Sequence, residues 1–593
     1  MLNWLNSKIK TLRSLNSKDL NKLDKSIENK LDKYIFKRLN NLKDSKKFVI
    51  SWLSLVFLII ILLLGQNYFL SSYYQKLEPV AGGVYNEGIL GTFTTVNPIY
   101  ATSSVDTSMA RLIFSGLFKY SNNNQLVGDL ASNYSVNSKG TVYTVNLRPN
   151  LFWQDNQPLT SKDVVFTFNL IKNPDAQSPL FTSWQGVSVQ AEGPSKIIFT
   201  LKDPLASFPT QLTTGILPYH ILSNIPVSEL RSASFNTTRP IGTGPFEFQS
   251  VSVSGNSPTN AIEQIYLKPF SRYIDGKAKL MQFVVNAYAS KDAMIKAFEA
   301  GQLNGIEGLV SVPKKISQMK NIVLHNLILT AGVYVFFKTT GPILSDVNIR
   351  TALVESANVS GIIKNLGYLT RQVNEPLLEG QLAYNPKYKE PSYNLTNANN
   401  ILTQDGWILA KDGLRYKNNQ PLSFNLLVSN NSEYLKVAKE LKAYWSKIGV
   451  DLNIINLDQA DFNNALQTHQ YDSILYGISI GTDPDVFIYW DSSQASITSA
   501  THLNLSEYSN SMADESLEEG RTRLNPLLRV IKYEGFLQAW QKDLPALGLY
   551  QPRNLYITNG PLYGLTNSEI NSSAGRLNNV NNWEIDESKV TDN

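Results

Sequence analysis

Eighteen consecutive positions, Phe48–Gly65, carry no charge. That run is close to the minimum for a helix that crosses a bilayer, and Gln66–Leu70 extends it into the interface. Upstream, Leu20, Leu23, Ile27, Leu31, Ile35, Leu39 and Leu42 recur every three or four positions with lysines between them. This spacing predicts an amphipathic basic helix, either lying on an anionic leaflet or serving as a solvated stop-transfer flank. Ser71–Gly83 reads as a polar juxtamembrane linker. From Val84 the pattern turns to short β-rich runs set between helical segments: Tyr143–Leu147, Lys196–Leu201, Val333–Phe337, Leu422–Val428 and Asp451–Ile455. The Asn/Ser-rich stretch after Asn567 reads as loop, with 581–593 frayed. The expected organisation is thus a cytoplasmic tail over 1–47, a transmembrane helix over 48–70, a linker over 71–83 and a large α/β body.

Charge decides the orientation. Residues 1–47 hold 13 Lys/Arg against 5 Asp/Glu, a net of +8, while the whole chain is only +5, which leaves −3 on the rest. Basic flanks stay in the cytoplasm, so the body is expected outside the cell membrane. A leader of 47 residues is too long for the n-region of a cleaved signal peptide. The basic excess therefore belongs to the tail and gives no argument for nucleic-acid binding. With no cysteine in the chain, disulfides, thiolate metal sites, a cysteine nucleophile and a lipid-modified cysteine are all excluded. His220, His325, His469 and His502 are dispersed, outside any paired-ligand spacing, so no metal or cofactor is expected.

The segment Tyr143–Phe168 places an Arg-Pro turn after a strand. Phe152-Trp153, the polar turn Asp155-Asn156-Gln157-Pro158 and an apolar helix after Thr160 then follow. Further on come Pro240-Ile241-Gly242-Thr243-Gly244-Pro245-Phe246, a segment from Gly341 to Leu353 with Asp346 near a helix start, and Tyr393–Trp407 ending in Gly406-Trp407. Gly413-Leu414-Arg415, Pro421–Phe424 and Leu544-Pro545-Ala546-Leu547 complete the series. In this order the motifs closely resemble the family 5 extracellular solute-binding proteins, the oligopeptide, dipeptide and nickel receptors of ABC importers. The resemblance covers about Val84–Tyr556. In the Gly242–Gly244 turn, glycine is expected for positive φ.

The resemblance implies a two-lobed periplasmic-binding-protein-like α/β fold with an extra α/β subdomain, beyond the N-terminal transmembrane helix. The first lobe would be discontinuous (84–118, 239–332, 549–593), the inserted subdomain would span 119–238 and the second lobe 333–548. It also implies a ligand site. Phe93, Thr94 and Asn97 stand in what resembles the first loop facing the ligand, whose backbone would pair with an extended substrate. Tyr476, Gly477, Ser479, Gly481, Thr482 and Asp483 stand on a strand and an Asp-Pro loop that line the cleft. Peptide receptors of this type carry an aspartate four residues before that proline, paired with the ligand's ammonium; here the position is Ile480. Either Asp483 substitutes, or the alignment shifts, or the ligand has no free α-amine. Helix capping is an equal reading for Asp483.

The function implied is capture of a peptide or peptide-like ligand for an ABC permease with separate ATPase subunits, without catalysis. Three other readings remain. An anchored sensor or docking protein would use the same cleft. A surface protein with a degenerate cleft would bind nothing. A serine hydrolase would use Ser479, because Gly477-Ile478-Ser479-Ile480-Gly481 matches the nucleophile-elbow pattern.

Overall fold

In a computed structural model, the structure describes residues 29, 46–73, 75–255, 257–499 and 501–591. The amphipathic repeat Leu20–Leu42 lies outside the described residues apart from Asn29. The described residues fall into two compact units: Pro79–Asp586, and a second made of those before Pro79 and after Asp586. In the second unit the helix Lys46–Tyr73 carries an apolar stretch, Phe48–Gln66, of mean hydropathy 2.9 with none of it buried. At 1.5 Å per residue these 19 residues span about 28 Å, which matches a hydrocarbon core. Part of the expected linker is a strand, Gln75–Val80, paired with Asp586–Thr591.

Pro79–Asp586 is built on three main sheets. The largest has eight strands in the order Glu569–Ile570, Ile322–Leu329, Arg553–Asn559, Gly305–Glu307, Val84–Leu90, Gln282–Tyr288, Ile262–Pro269 and Phe246–Ser254. Its centre, Val84–Leu90, runs parallel to both neighbours. The second sheet has five strands: Asp451–Leu457, Ser423–Ser429, Ser473–Ser479, Ala331–Phe337 and Ala546–Tyr550. The third has four antiparallel strands, Ala131–Val136, Val142–Leu147, Lys196–Thr200 and Ser188–Ala191. Each β-rich run read from the sequence is one of these strands.

The apolar run in Ala331–Phe337 is explained by burial on both faces. Alternation sends Val333, Val335 and Phe337 into one core, with Trp445 and Leu441, and Tyr334 and Phe336 into another, with Trp490 and Trp540. The chain crosses from the first sheet to the second at Thr330 and returns through Gln551-Pro552. Leu329 N–H donates to Pro552 O at 2.8 Å, so the crossings lie side by side.

The motifs are joined to one another by hydrogen bonds. Trp153 is fully buried, and its N–H closes the polar turn on Gln157 O at 2.8 Å. The side chain of the next residue, Gln154, accepts from Gly242 N and donates to Phe246 O, each at 2.8 Å. Thr160 and Asp163 form a reciprocal cap on the helix Ser161–Ile171. Gly242 and Gly244 are not at positive φ. They are required because they press on the end of the helix Ser104–Ile113: a Cβ at Gly242 would stand 1.9 Å from Ile113 O. Gly242→Ala is therefore expected to cost the upper end of the about 1–3 kcal/mol typical of overpacking, read as a loss in urea-unfolding free energy.

The stretch after Asn567, read as loop, is packed against the core, and 581–591, expected to fray, hold buried Trp583 and the strand Asp586–Thr591. Trp583 is fully buried against Tyr85, 5.5 Å between ring centroids, and Leu577 and Val580 join the same core. Arg576, also fully buried, grips both oxygens of buried Glu87 at 2.9 Å and donates to Ser108.

Candidate functional site

The strand Ser473–Ser479 delivers the loop 480–485 to the crossing between the two sheets at Thr330. The N–H groups of Ile480 and Gly481 both donate to Thr330 O, at 3.0 and 2.9 Å, and Gln381 holds Gly481 O at 2.8 Å. Gly481 has φ +77°, which lets the loop turn there. Thr482 then meets the side chain of Tyr120; burial raises the Tyr120 pKa and the Thr482 contact opposes it. Asp485 accepts from Ser207 at 2.9 Å and from Arg521 at 3.2 Å, and Ala206 N–H donates to Arg521 O at 2.9 Å. One short loop thus touches that crossing, the end of the strand Phe118–Tyr120 and the segment beyond the third sheet.

Asp483 is already paired. Its two oxygens take Arg529 Nη1 and Nη2 at 2.8 and 2.6 Å, and Arg529 Nε donates to Gly520 O. Burial pulls the Arg529 pKa down, but Asp483 more than offsets it and the guanidinium stays charged. This fork-to-fork geometry fills the carboxylate. Tyr476 is half-buried, its ring 5.9 Å from Phe462. A Cβ on Gly477 would come 2.8 Å from the Tyr434 hydroxyl.

Ser479 is the last residue of a regular strand, paired with Ala331, and its φ is not positive. An elbow nucleophile needs a strained turn with a histidine beside it. His502 instead bonds Ser499, and His469 bonds the backbone of His502. The hydrolase reading is therefore set aside. Among the described residues no three His, Cys, Asp or Glu come together as a metal site.

The loop after Val84–Leu90 spends its donors internally. Phe93 N–H goes to Glu263 at 2.7 Å, Thr94 and Thr95 N–H to Asp106 at 2.8 and 3.0 Å, and Val96 N–H to Asn236 O at 2.8 Å. Asn97 is buried and donates to the Asn236 side chain at 2.9 Å. These N–H groups are not free to pair with an added strand.

A cavity of about 330 Å³ opens beside this loop, lined among others by Pro98, Arg111, Lys119, Tyr120, Thr214 and Asn571. None of the nine residues expected at the ligand lines it; Pro98, next to Asn97, and Tyr120, which meets Thr482, connect them to it. A second cavity of about 520 Å³ lies where Phe208 and Lys202 face Phe487, Glu518 and Arg521. Arg111, Lys119 and Asn571 were outside every motif. The only sequence signal was two cations flanking an apolar helix–strand junction.

Away from these cavities, Glu375 is buried beneath the second sheet, near Glu390. Burial raises its pKa to about 7, and that of Glu390 well above the ordinary carboxylate value. A carboxyl whose folded pKa is raised stabilises fully below its unfolded value, near 4.5. That contribution is lost as pH climbs through about 7. The melting temperature is expected to fall between pH 4.5 and 7, and Glu375→Gln should flatten that slope.

The family model of bacterial extracellular solute-binding proteins, family 5 Middle, matches residues 125–499. The oligopeptide-binding protein AppA of Bacillus subtilis is 24% identical over 491 residues, 80% of this chain and 88% of the relative. Among solved structures, NikZ of Campylobacter jejuni in complex with Ni(L-His) superposes with a TM-score of 0.71 at 25% identity, over 84% of this chain and 99% of NikZ. B. subtilis AppA in complex with a nonapeptide gives 0.67 at 23% identity, over 86% and 100%. CtaP of Listeria monocytogenes gives 0.73 at 21%, over 85% and 99%. The two sheets joined by a double crossing, with a third sheet beside them, are the two-lobed fold of these receptors. This chain, a binding receptor rather than an enzyme, belongs to the bacterial extracellular solute-binding proteins, family 5.

Proposed function

We propose that the protein is a membrane-anchored extracellular receptor that captures a peptide or peptide-like ligand between its lobes and hands it to an ABC importer. We divide the body at the boundaries the motifs suggest: a first lobe from 84–118, 239–332 and 549–593, a subdomain over 119–238 and a second lobe over 333–548. The observation that carries the reading is the loop 480–485. It joins the hinge carbonyl of Thr330 to Tyr120 and Ser207, so a ligand held beside it would bias lobe closure. The unburied helix Phe48–Gln66 is the anchor, with the basic tail on the cytoplasmic side. Tethering raises the receptor's effective concentration at a permease in the same membrane.

Native mass spectrometry of the full chain in detergent tests this. Co-purified short peptides, released on denaturation, are the expected result. A single non-peptide ligand would replace the substrate class. An empty protein that no peptide or metabolite pool stabilises thermally would end the receptor reading.

A further inference from the structure

The cavity beside Pro98 has an uneven supply of hydrogen-bonding groups. No Asp or Glu lines it, whereas Arg111 and Lys119 do. Among the described residues, Arg111 has one ion pair, to Asp129 at 3.8 Å, and its guanidinium makes no hydrogen bond. Its five N–H donors make no hydrogen bond, and the only charge facing them closely is the buried Asp129 carboxylate, whose own two oxygens are also without one. Asn571 is similar. Its Oδ1 accepts from Asn124 at 3.2 Å and from Thr330, while its buried Nδ2 has no partner. Lys119 is held by Asp275 and Tyr273, with Asp129 at 3.7 Å, and Asp275 also takes Arg148 at 2.9 Å. Three cations thus face two acids, a local excess of +1.

The acids of the loop 480–485 are already engaged, Asp485 through Oδ2 by Ser207 and Arg521. Ile480 stands where an acid would face an ammonium, and both oxygens of Asp483 are filled by Arg529. In the cavity, which no acid lines, an ammonium would be desolvated without a direct partner, which is strongly unfavourable, whereas a carboxylate would find a guanidinium fork and an amide donor.

Resting on the receptor reading, and on Tyr120 as the link between the loop 480–485 and this cavity, we propose that the cavity takes a carboxylate of the ligand, held by Arg111 with Asn571, and that the receptor selects its ligand by that anionic group and not by a free amine. Arg111 is the specificity-determining residue. The carboxylate has two sources, a chain terminus or an acidic side chain, and these are separable.

The test uses the full chain in detergent and randomised tri- to hexapeptide pools, free, N-acetylated or C-amidated, the amidated pool made with and without Asp and Glu. Acetylation is expected to leave affinity within about twofold. Amidation without acidic residues should lower it about tenfold or more, the worth of one charge-assisted anchor. Recovery by the amidated pool that contains Asp and Glu would assign the carboxylate to a side chain; no recovery would assign it to the terminus. Either result supports the proposal. Arg111→Met should erase the difference between pools and Arg111→Lys should keep part of it. Should Arg111→Met fail to fold, Asn571→Asp, which sets an acid in the cavity, should weaken the free pool. Loss on acetylation with indifference to amidation would overturn the proposal and leave the receptor reading standing. Failure of every pool to bind the wild type would overturn the proposal and, with it, the peptide class of ligand, while the receptor reading would then rest on the metabolite pools.

Discussion

Arg576→Met is expected to destabilise the protein by about 3–5 kcal/mol, the penalty for stranding one member of a buried ion pair. Glu87 sits at the centre of the eight-stranded sheet, fully buried, and Arg576 supplies two hydrogen bonds to it from 489 residues away. Burial pulls the Arg576 pKa down, yet Glu87 overrides it, so the guanidinium stays charged. Glu307, also buried, has a pKa raised by burial and lowered by the same guanidinium, so the substitution strands a second acid. Pairing the change with Glu87→Gln should recover a large part of the loss, because a neutral amide is far cheaper to bury than a lone carboxylate. Urea unfolding followed by tryptophan fluorescence reads both. A single-variant loss below about 1 kcal/mol would mean that water reaches the pair.

Asp483→Ala carries the second large effect, about 3 kcal/mol, since it leaves the mostly buried Arg529 guanidinium with only Gly520 O. The informative comparison is between stability and binding. As the anchor of its own loop, Asp483 should show lost stability that Asp483→Ala/Arg529→Met restores by at least half. As a ligand-amine partner, it would show lost affinity at nearly unchanged stability, which the second substitution could not repair. Peptide-pool affinity and unfolding free energy on the same three proteins decide between them.

These two pairs also mark where the sequence stopped being informative. Strand runs such as that within Ala331–Phe337 were legible because burial on both faces leaves a continuous apolar signature. The turn around Trp153 and the helix cap at Thr160 were legible because their chemistry is local. Arg576 was not. Its surroundings are Asn- and Ser-rich, which reads as loop, and its partner is at the other end of the chain. Nor was the reason for Gly242, where the constraint is not its own dihedral but the carbonyl of Ile113, 129 residues earlier. Asp483 was found by its proline neighbour, but its Arg529 partner lies 46 residues on, in a helix that carries no motif. Local rules singled out these segments; only the folded structure shows which of their polar groups are already used.

Thr330 has a mechanical consequence. Its N–H is tied to Ile570 O at 2.9 Å, on the edge of the first sheet, and its C=O to two N–H groups of the loop that leaves the second sheet, Ile480 and Gly481. The peptide planes on either side of one α-carbon therefore belong to different bodies, and what separates them is a single φ, ψ pair. The return crossing at Gln551-Pro552 runs alongside with a proline-fixed φ, so few backbone torsions stand between the two sheets.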